Sequence, residues 1–434
     1  MPRPQAPPAL DVFNLAPDHR QRRVVSPTTV SEVVEEVRTA AAAGEPVRVV
    51  GTGHGLAPIE DAVALSTAAL TGVDIDPLTA TARVGAGSRW GDVLAAAARH
   101  RLAPVTGSSP TVGVVGLLLG GGLGPVGRTL GWASDHVRSF ELVTAAGDVV
   151  VASATSHRDL FWALRGGKQA PGVVTAVELD LLPLTRIYAG GLYFAADDAE
   201  QVVVGFAAWA QDLPESLTAS LALMRLPAVD DVPAPLRGRE VVHVRVAVAG
   251  VEPHALADAG VALVAPLRAL ADPILDTVAV MPYAELGAVH ADPAGPMPVL
   301  DGGALLSRFD ADAARALVRT AGPGTGAPFA AVEVRCLGGA LARRPDDDCV
   351  AGRDAGALLS VVSLPDPALF ASVVPAATAQ VVGALAPWAS GGMQPNFIGA
   401  LNQPSAWDRV WPDAVRQRLT GVLDEFDPAR LFAR

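Results

Sequence analysis

Two glycine-rich segments constrain this chain more than any other feature of its sequence. The first, residues 50–56, follows an apolar run at 46–50 that predicts a buried strand, and it carries one histidine, His54. The second, residues 107–124, is also rich in glycine. Glycine lets a backbone turn tightly and approach a ligand closely, and successive backbone N–H groups can hold an anion without lysine or arginine. The pair therefore predicts loops that bind a phosphate-bearing ligand.

Two other interpretations of the glycines are weaker. Gly122, Gly124 and Gly127 match G-x-G-x-x-G, but Pro125 interrupts the motif and no acidic residue follows at the offset that a dinucleotide-binding βαβ unit requires. The segments could also be tight turns in an Ala- and Gly-rich protein. Two segments at this spacing, each flanked by strands, favour ligand binding.

Length, charge and cysteine content exclude several classes of protein. The chain has 434 residues, which predicts two domains. Its net charge of −12 argues against nucleic acid or an anionic membrane as partner. Two cysteines make neither a disulfide framework nor a zinc site, and the histidines show no metal-ligand spacing. Without an N-terminal apolar region or a membrane-spanning run, we expect a cytoplasmic protein.

The order of predicted elements indicates an α+β fold. Thr28 or Thr29 caps a first helix that stops at Gly44, and residues 73–76 suggest an acidic turn. Beyond about residue 190, apolar and alternating runs predict an antiparallel sheet with covering helices. Pro- and Gly-rich loops are expected at 227–238, 291–303 and 321–328. The tail predicts an amphipathic helix that breaks at an Asp-Pro pair.

As a set, these motifs resemble the berberine-bridge-enzyme-like flavoproteins of the vanillyl-alcohol-oxidase, or PCMH, type. The similar stretches are residues 26–55, 81–150, 159–181, the VEVRCLGG strand with its following loop, and the C-terminal LDEFDPARLF. The resemblance implies an FAD-binding domain formed by residues 1–190 and 386–434. It also implies a substrate domain, residues 191–385, built from an antiparallel sheet and covering helices.

The resemblance implies FAD as the cofactor and assigns its contacts residue by residue. In that family the histidine at the position of His54 is bonded to the flavin 8α-methyl group; a non-covalent polar contact is the alternative. A second, cysteinyl bond is excluded because Ser109 stands at the matching position. The implied FAD-binding residues are Val50, Gly51, Thr52, Gly53, His54, Gly55, Leu56, Gly107, Ser108, Ser109, Gly113, Gly116, Gly120, Gly121, Gly122, Gly124, Asp135, Val137, Gly172, Val174, Asn396 and Phe397.

The family's usual catalytic groups are partly missing. Its Y-x-N-Y motif appears as residues 394–397, without the first tyrosine, and its glutamate base is absent from residues 360–362. Asn396 can still hydrogen-bond a flavin or substrate. Glu333 and Arg335 alternate on a predicted strand and so share one face, where they serve as replacement groups or as a structural ion pair. Tyr193 and Tyr283 could supply phenol groups.

Two further departures concern charged residues near the expected flavin site. Lys168 replaces a family glycine, and exposure statistics favour a solvated surface lysine. Asp135 and His136 stand where the family has an Asp-Asn pair. We expect His136 to pack in a turn.

The activity implied by the resemblance is oxidation of a C–H bond next to oxygen or nitrogen in a small, natural-product-like substrate. FAD accepts the hydride, and O2 reoxidises the flavin to give hydrogen peroxide. The missing tyrosine and base leave a monooxygenase or cyclisation-directing enzyme as an alternative. A flavin-fold protein without turnover, acting as a binding protein, is a third. The oligomeric state is left open.

Overall fold

The computed structural model describes residues 10–344, 347–401 and 404–432. The outer ends of the predicted FAD-binding domain, residues 1–9 and 433–434, lie outside the described residues. So do residues 345–346 and 402–403. Within the described part, three sheets and their helices form an α+β fold, as predicted. No helix there is long and apolar enough to cross a membrane.

A small parallel sheet opens the fold and carries the first glycine-rich segment. Its strands are β1 (Arg23–Val25), β2 (Val47–Val50) and β3 (Val63–Ser66), in the order β1-β3-β2. Helix α1 (Val30–Ala43) begins at Thr29, whose side chain accepts a hydrogen bond from the Glu32 N–H, and ends at Gly44 in the left-handed region. The predicted helix and both its boundaries are confirmed.

A five-stranded antiparallel sheet follows, in the order β4-β5-β8-β6-β7. Its strands are β4 (Val73–Asp76), β5 (Thr81–Gly85), β6 (Val137–Thr144), β7 (Val149–Ser153) and β8 (Gly172–Asp180). The associated helices are α2 (Trp90–Ala98), α3 (Val114–Leu118), α4 (Gly127–Leu130) and α5 (Arg158–Leu164). The predicted turn at residues 73–76 is wrong: β4 pairs with β5, because Val73 and Ile75 pack on the core while the two aspartates face solvent.

The third sheet has eight strands and is antiparallel, as predicted. Its strands are β9 (Arg186–Ala195), β10 (Leu217–Arg225), β11 (Glu240–Val248), β12 (Leu275–Asp276), β13 (Ala279–Pro282), β14 (Asp301–Leu306), β15 (Phe329–Cys336) and β16 (Ala357–Ser363). The order is β12-β9-β11-β10-β15-β16-β14, and β13 also pairs with β9. The covering helices are α6 (Ala199–Trp209), α7 (Leu256–Arg268), α8 (Ala311–Ala321) and α9 (Val373–Ala384).

The two faces of this third sheet differ in chemistry. Alternate residues such as Val244, Val332 and Val334 enter a large apolar cluster with helices α6 to α9. The opposite face carries polar side chains and looks toward the second glycine-rich segment. Strand β14 starts inside the predicted 291–303 loop, because its Gly302 and Gly303 give no alternating pattern although both pair with β16.

The C-terminal segment returns to the first sheet. Helix α10 (Asp413–Phe426) packs Leu419 and Val422 into the core of the five-stranded sheet. Beyond it, Phe432 forms a parallel bridge with Val47. The Asp427 carboxylate fixes this turn by accepting hydrogen bonds from the backbone N–H groups of Leu431 and Phe432.

Candidate functional site

The two glycine-rich segments lie against each other. The Thr52 hydroxyl accepts a hydrogen bond from the Gly113 N–H at 3.1 Å. His54 Nε2 is 3.3 Å from Thr111 Oγ1, which in turn is 2.9 Å from Ser109 Oγ. The segments therefore form one continuous surface, although their residues are far apart in the sequence.

His54 is held in a form that suits bond formation. Its ring stacks on Phe13, with centroids 3.8 Å apart. Burial lowers the pKa of His54 to about 4, so the imidazole is neutral at pH 7. A neutral imidazole has a nitrogen lone pair that can bind a cofactor atom. Ser109 stands at the family's cysteine position, and the Thr111 hydroxyl lies between Ser109 Oγ and this ring.

The glycines separate into those that the fold requires and those that border open space. Gly53 has φ 73°, and a Cβ there would lie 2.4 Å from the Cβ of Val12. By contrast, an added Cβ at Gly51, Gly55 or Gly116 would meet nothing within 4 Å. A ligand can approach the backbone in the unoccupied space beside these three glycines.

The other residues that the sequence assigned to FAD have varied surroundings. Val50 is buried at the end of β2, and Leu56 packs on the cluster around it. The side chains of Val137 and Val174 are buried in the core beneath the second glycine-rich segment. Gly172 pairs with Thr144 in the five-stranded sheet.

Asp135 is occupied by protein groups. Its carboxylate accepts a hydrogen bond from the Trp132 N–H at 2.9 Å and forms a buried ion pair with Arg353.

Ser108 and His136 also bond to other parts of the protein. The Ser108 hydroxyl donates to Asp292 at 2.9 Å. His136 Nε2 lies 2.8 Å from the carbonyl oxygen of Leu130, in keeping with a packing role.

The C-terminal stretch around Asn396 spans the second glycine-rich segment. Asn396 Nδ2 donates to the Leu117 carbonyl at 2.9 Å, and Gln394 Nε2 donates to the Gly120 carbonyl at 2.6 Å. A Cβ at Gly120 would lie 2.1 Å from Asn396 Oδ1, so this glycine makes room for the amide. Because Asn396 Oδ1 also accepts a hydrogen bond from Lys168 Nζ, both polar atoms of the Asn396 side chain have partners within the protein.

Lys168 is not the solvated surface lysine that its sequence position suggested. Its Nζ donates to Asn396 Oδ1 at 2.6 Å and to the Gly116 carbonyl at 3.3 Å. Burial lowers the pKa of Lys168 to about 8, against the opposing effect of Asp301. Its φ of 64° explains why a family glycine fits this position. The departure from the family pattern was the sequence signal for this contact.

Cross-strand pairing brings the polar residues of the third sheet into two rows. One row runs Tyr193, His243, Ala222, Glu333 and Ser360 across five strands. The neighbouring row places Arg245, Ser220 and Arg335 side by side. Glu333 therefore sits directly opposite Ser360, in the stretch where some family members carry their glutamate base.

The Glu333 carboxylate is contacted by two arginines, a serine hydroxyl and a histidine. Arg245 Nη1 contacts it at 2.7 Å, Arg335 Nε at 2.8 Å, and the Ser220 hydroxyl donates at 2.7 Å. His290 Nε2 is 3.3 Å from the same carboxylate. Burial alone would raise the pKa of Glu333, but Arg335 and Arg245 outweigh it and hold that pKa well below its usual range. The carboxylate is therefore an ion-pair centre and a poor proton acceptor.

The aromatic and imidazole groups nearby are neutral. Tyr193 stacks on His243 with ring centroids 3.9 Å apart, and burial raises the pKa of this phenol. Burial, together with Arg245, lowers the pKa values of His243 and His290. Tyr283 lies elsewhere: its hydroxyl donates to the Pro104 carbonyl at 2.8 Å in an apolar cluster.

A cleft, with about 310 Å³ of space between atoms including its opening to solvent, separates the glycine-rich segment from this sheet. One wall is formed by Leu123, Gly124 and Pro125. The opposite wall includes Ser220, Arg245, Val289, His290, Arg335 and Cys336. A small molecule in this cleft would lie between the segment assigned to FAD and the polar face of the sheet.

The arrangement suits FAD, the cofactor that the sequence resemblance implies. Backbone beside Gly51, Gly55 and Gly116 is open to a ligand, and the His54 ring nitrogen is unprotonated at pH 7. When bound, FAD would supply the redox chemistry, and the loops would supply binding and orientation.

Comparison with known proteins agrees with this arrangement. Residues 22–153 match a protein-family model described as an FAD binding domain. The chain is 38% identical over 205 residues to an FAD-dependent monooxygenase of Cochliobolus heterostrophus, an alignment that covers 46% of this chain and 39% of that protein.

The chain is also similar in sequence and in fold to proteins named 6-hydroxynicotine oxidase. The chain is 32% identical over 273 residues to (R)-6-hydroxynicotine oxidase of Paenarthrobacter nicotinovorans, covering 61% of this chain and 56% of that protein. The chain thus matches less than two thirds of the length of either curated relative. The crystal structure of 6-hydroxy-D-nicotine oxidase from Arthrobacter nicotinovorans has the same fold, with a TM-score of 0.81 and 24% identity over 97% of this chain and 92% of that one.

Proposed function

Because this chain belongs to the PCMH-type FAD-linked oxidoreductases, the family of the berberine-bridge-like enzymes, we propose that it is an FAD-dependent oxidase of a small molecule. The observation that carries this proposal is the cleft between the second glycine-rich segment and the polar sheet face. When bound, FAD would supply the redox chemistry: the substrate would lose a hydride from a C–H next to oxygen or nitrogen and a proton from that oxygen or nitrogen, and O2 would take up the two electrons and two protons as hydrogen peroxide.

We assign roles to the chain's own residues as follows. His54 would hold FAD through the single covalent link, a C–N bond that would replace a C–H bond of the flavin 8α-methyl group, since its neutral ring nitrogen can act as a nucleophile. Asn396 holds Lys168 and the backbone of the second glycine-rich segment, and so would fix the surroundings of a bound flavin. Arg335 contacts the substrate, and Tyr193 presents its phenol from the same sheet face.

Glu333 has a positioning role in this proposal. Its carboxylate is shared by Arg245 and Arg335 and so orients both guanidinium groups. The ion-pair interpretation of Glu333 is therefore preferred over the general-base interpretation. Cytoplasmic location and the exclusion of nucleic acid or membrane partners stay predictions from composition.

The decisive experiment is denaturing precipitation of the purified protein, followed by an absorption spectrum and an intact mass. We expect a yellow pellet and a mass increased by one FAD. His54→Ala should release the flavin into the supernatant, whereas Ser109→Ala should leave the attachment intact. A colourless protein that takes up no added FAD would contradict the proposal and favour a binding protein.

A monooxygenase is the second candidate. Two observations favour it: similarity to an FAD-dependent monooxygenase, and a Glu333 carboxylate that is too strongly ion-paired to act as a base. Turnover under labelled O2 separates the two reactions. Label in the product indicates a monooxygenase, and label only in hydrogen peroxide indicates the oxidase.

A further inference from the structure

The cleft contains more buried positive than negative charge. Arg245 and Arg335 line it with side chains only 5% and 13% exposed, and both pair with one carboxylate, Glu333. His243 and His290 are neutral for the reason given above. Two guanidinium groups and one carboxylate leave a net charge of one positive unit in a desolvated place.

A third arginine adds to this imbalance behind the cleft. Arg128 is buried, and its guanidinium donates to the backbone carbonyls of Leu213, Leu217 and Leu337. Its backbone N–H bonds Thr218, a residue of the cleft wall. Among the described residues, no carboxylate forms an ion pair with Arg128. Buried charge without a counter-charge is costly, so an anion in the cleft would be stabilised.

Arg335 has donors available for that anion. Within the described part of the chain, it gives only Nε to a protein acceptor, Glu333. Its guanidinium lies over the Phe397 ring, 5.1 Å from the centroid, which holds the planar group in place. A guanidinium edge matches a carboxylate with two parallel hydrogen bonds.

We propose that the natural substrate of this cleft carries one carboxylate, which Arg335 binds, while an apolar body rests on Leu123, Pro125 and Val289. That this acid is oxidised rests on the proposed oxidase function, whereas its binding by Arg335 does not. Glu333 then holds Arg335 in place through Nε, while its negative charge opposes that of the substrate carboxylate. This narrows the substrate class to small apolar acids.

The test compares benzoate with its neutral isostere benzamide on the protein as purified. Binding is measured by calorimetry and by the change in the flavin absorption band. We expect benzoate to bind at least about tenfold tighter than benzamide, the factor that corresponds to roughly 1.4 kcal/mol. Equal affinities, or no benzoate binding, would overturn the proposal. Flavin content is measured in the same sample. A protein without FAD would refute the proposed oxidase, and calorimetry would still show whether the cleft binds a carboxylate.

Two variants move benzoate affinity in opposite directions. Arg335→Gln should lower benzoate affinity to that of benzamide and leave benzamide binding unchanged. Glu333→Gln keeps an oxygen that can accept the Arg335 Nε hydrogen bond but removes the negative charge, so it should strengthen benzoate binding severalfold. Arg315→Gln, in an exposed ion pair on helix α8, is the matched control and should change neither ligand. Weaker or unchanged benzoate binding by Glu333→Gln would overturn the proposal even if Arg335→Gln does not fold.

Discussion

Replacement of Arg353 with Met removes the shared partner of two buried carboxylates. Arg353 Nη2 forms ion pairs with Asp135 and Asp348, and the three side chains are 5%, 7% and 1% exposed. Arg353 also donates to the carbonyl oxygen of Leu341, in the segment after β15. Through Asp135 it connects this segment to the 3₁₀ turn Ala133–His136 before β6. Met keeps most of the side-chain volume but provides neither charge nor donor.

The expected loss of stability follows from this burial. Breaking a buried ion pair by removing one partner costs about 3–5 kcal/mol, because an uncompensated charge is left behind. Here two carboxylates lose their partner, so we expect a loss at the upper end of that range. The carboxylates can reduce the loss only by binding protons.

The matched control is Arg343→Met, ten positions earlier. Arg343 pairs with Glu215, but the two side chains are 60% and 47% exposed. Exposed pairs contribute little, since water solvates both groups when they separate. Denaturant midpoints by tryptophan fluorescence should therefore fall for Arg353→Met and stay near the wild-type value for Arg343→Met. Equal midpoints for both variants would refute the reasoning.

The pH dependence gives a second check with a defined sign. Burial already raises the pKa of Asp348 in the wild type, and loss of Arg353 removes an opposing effect. The folded variant then binds more protons than its unfolded chain, so its stability falls as pH rises. We expect the difference from wild type to be smaller at pH 5 than at pH 8. A difference that grows on acidification would contradict this account.

Three further predictions concern the glycine-rich segment and its neighbours. Gly124→Ala places a Cβ 1.8 Å from a backbone carbonyl oxygen and should lower the unfolding midpoint and the flavin content, whereas Gly116→Ala, with open space around it, should fold normally. Lys168, whose pKa burial lowers to about 8, should give the flavin spectrum a transition near that pH, and Lys168→Met should abolish it. Burial raises the pKa of Cys336 to about 12 and that of Cys349 still further, so a disulfide exchange reagent at pH 8 should react quickly only after denaturant is added.

Local sequence pattern was sufficient for much of the architecture. Thr29 and Gly44 bound the first helix, because capping depends on residues within one turn. The alternation of Glu333 and Arg335 placed both on one face of a strand, since side chains of a strand alternate between its faces. The two glycine-rich segments and the resemblance they carry indicated an FAD-binding domain, which the family comparison supports.

Only the tertiary structure decided which groups meet. Residues 73–76 form a strand rather than a turn because β5 supplies the pairing partner. The Lys168 amine reaches Asn396 across 228 residues, so the side chain is half-buried and hydrogen-bonded rather than solvated as its local sequence suggested. Glu333 becomes an ion-pair centre because Arg245 arrives from another strand. Cross-strand register and long-range docking set the charge and burial of each side chain, and neither property is written in the periodicity of a single segment.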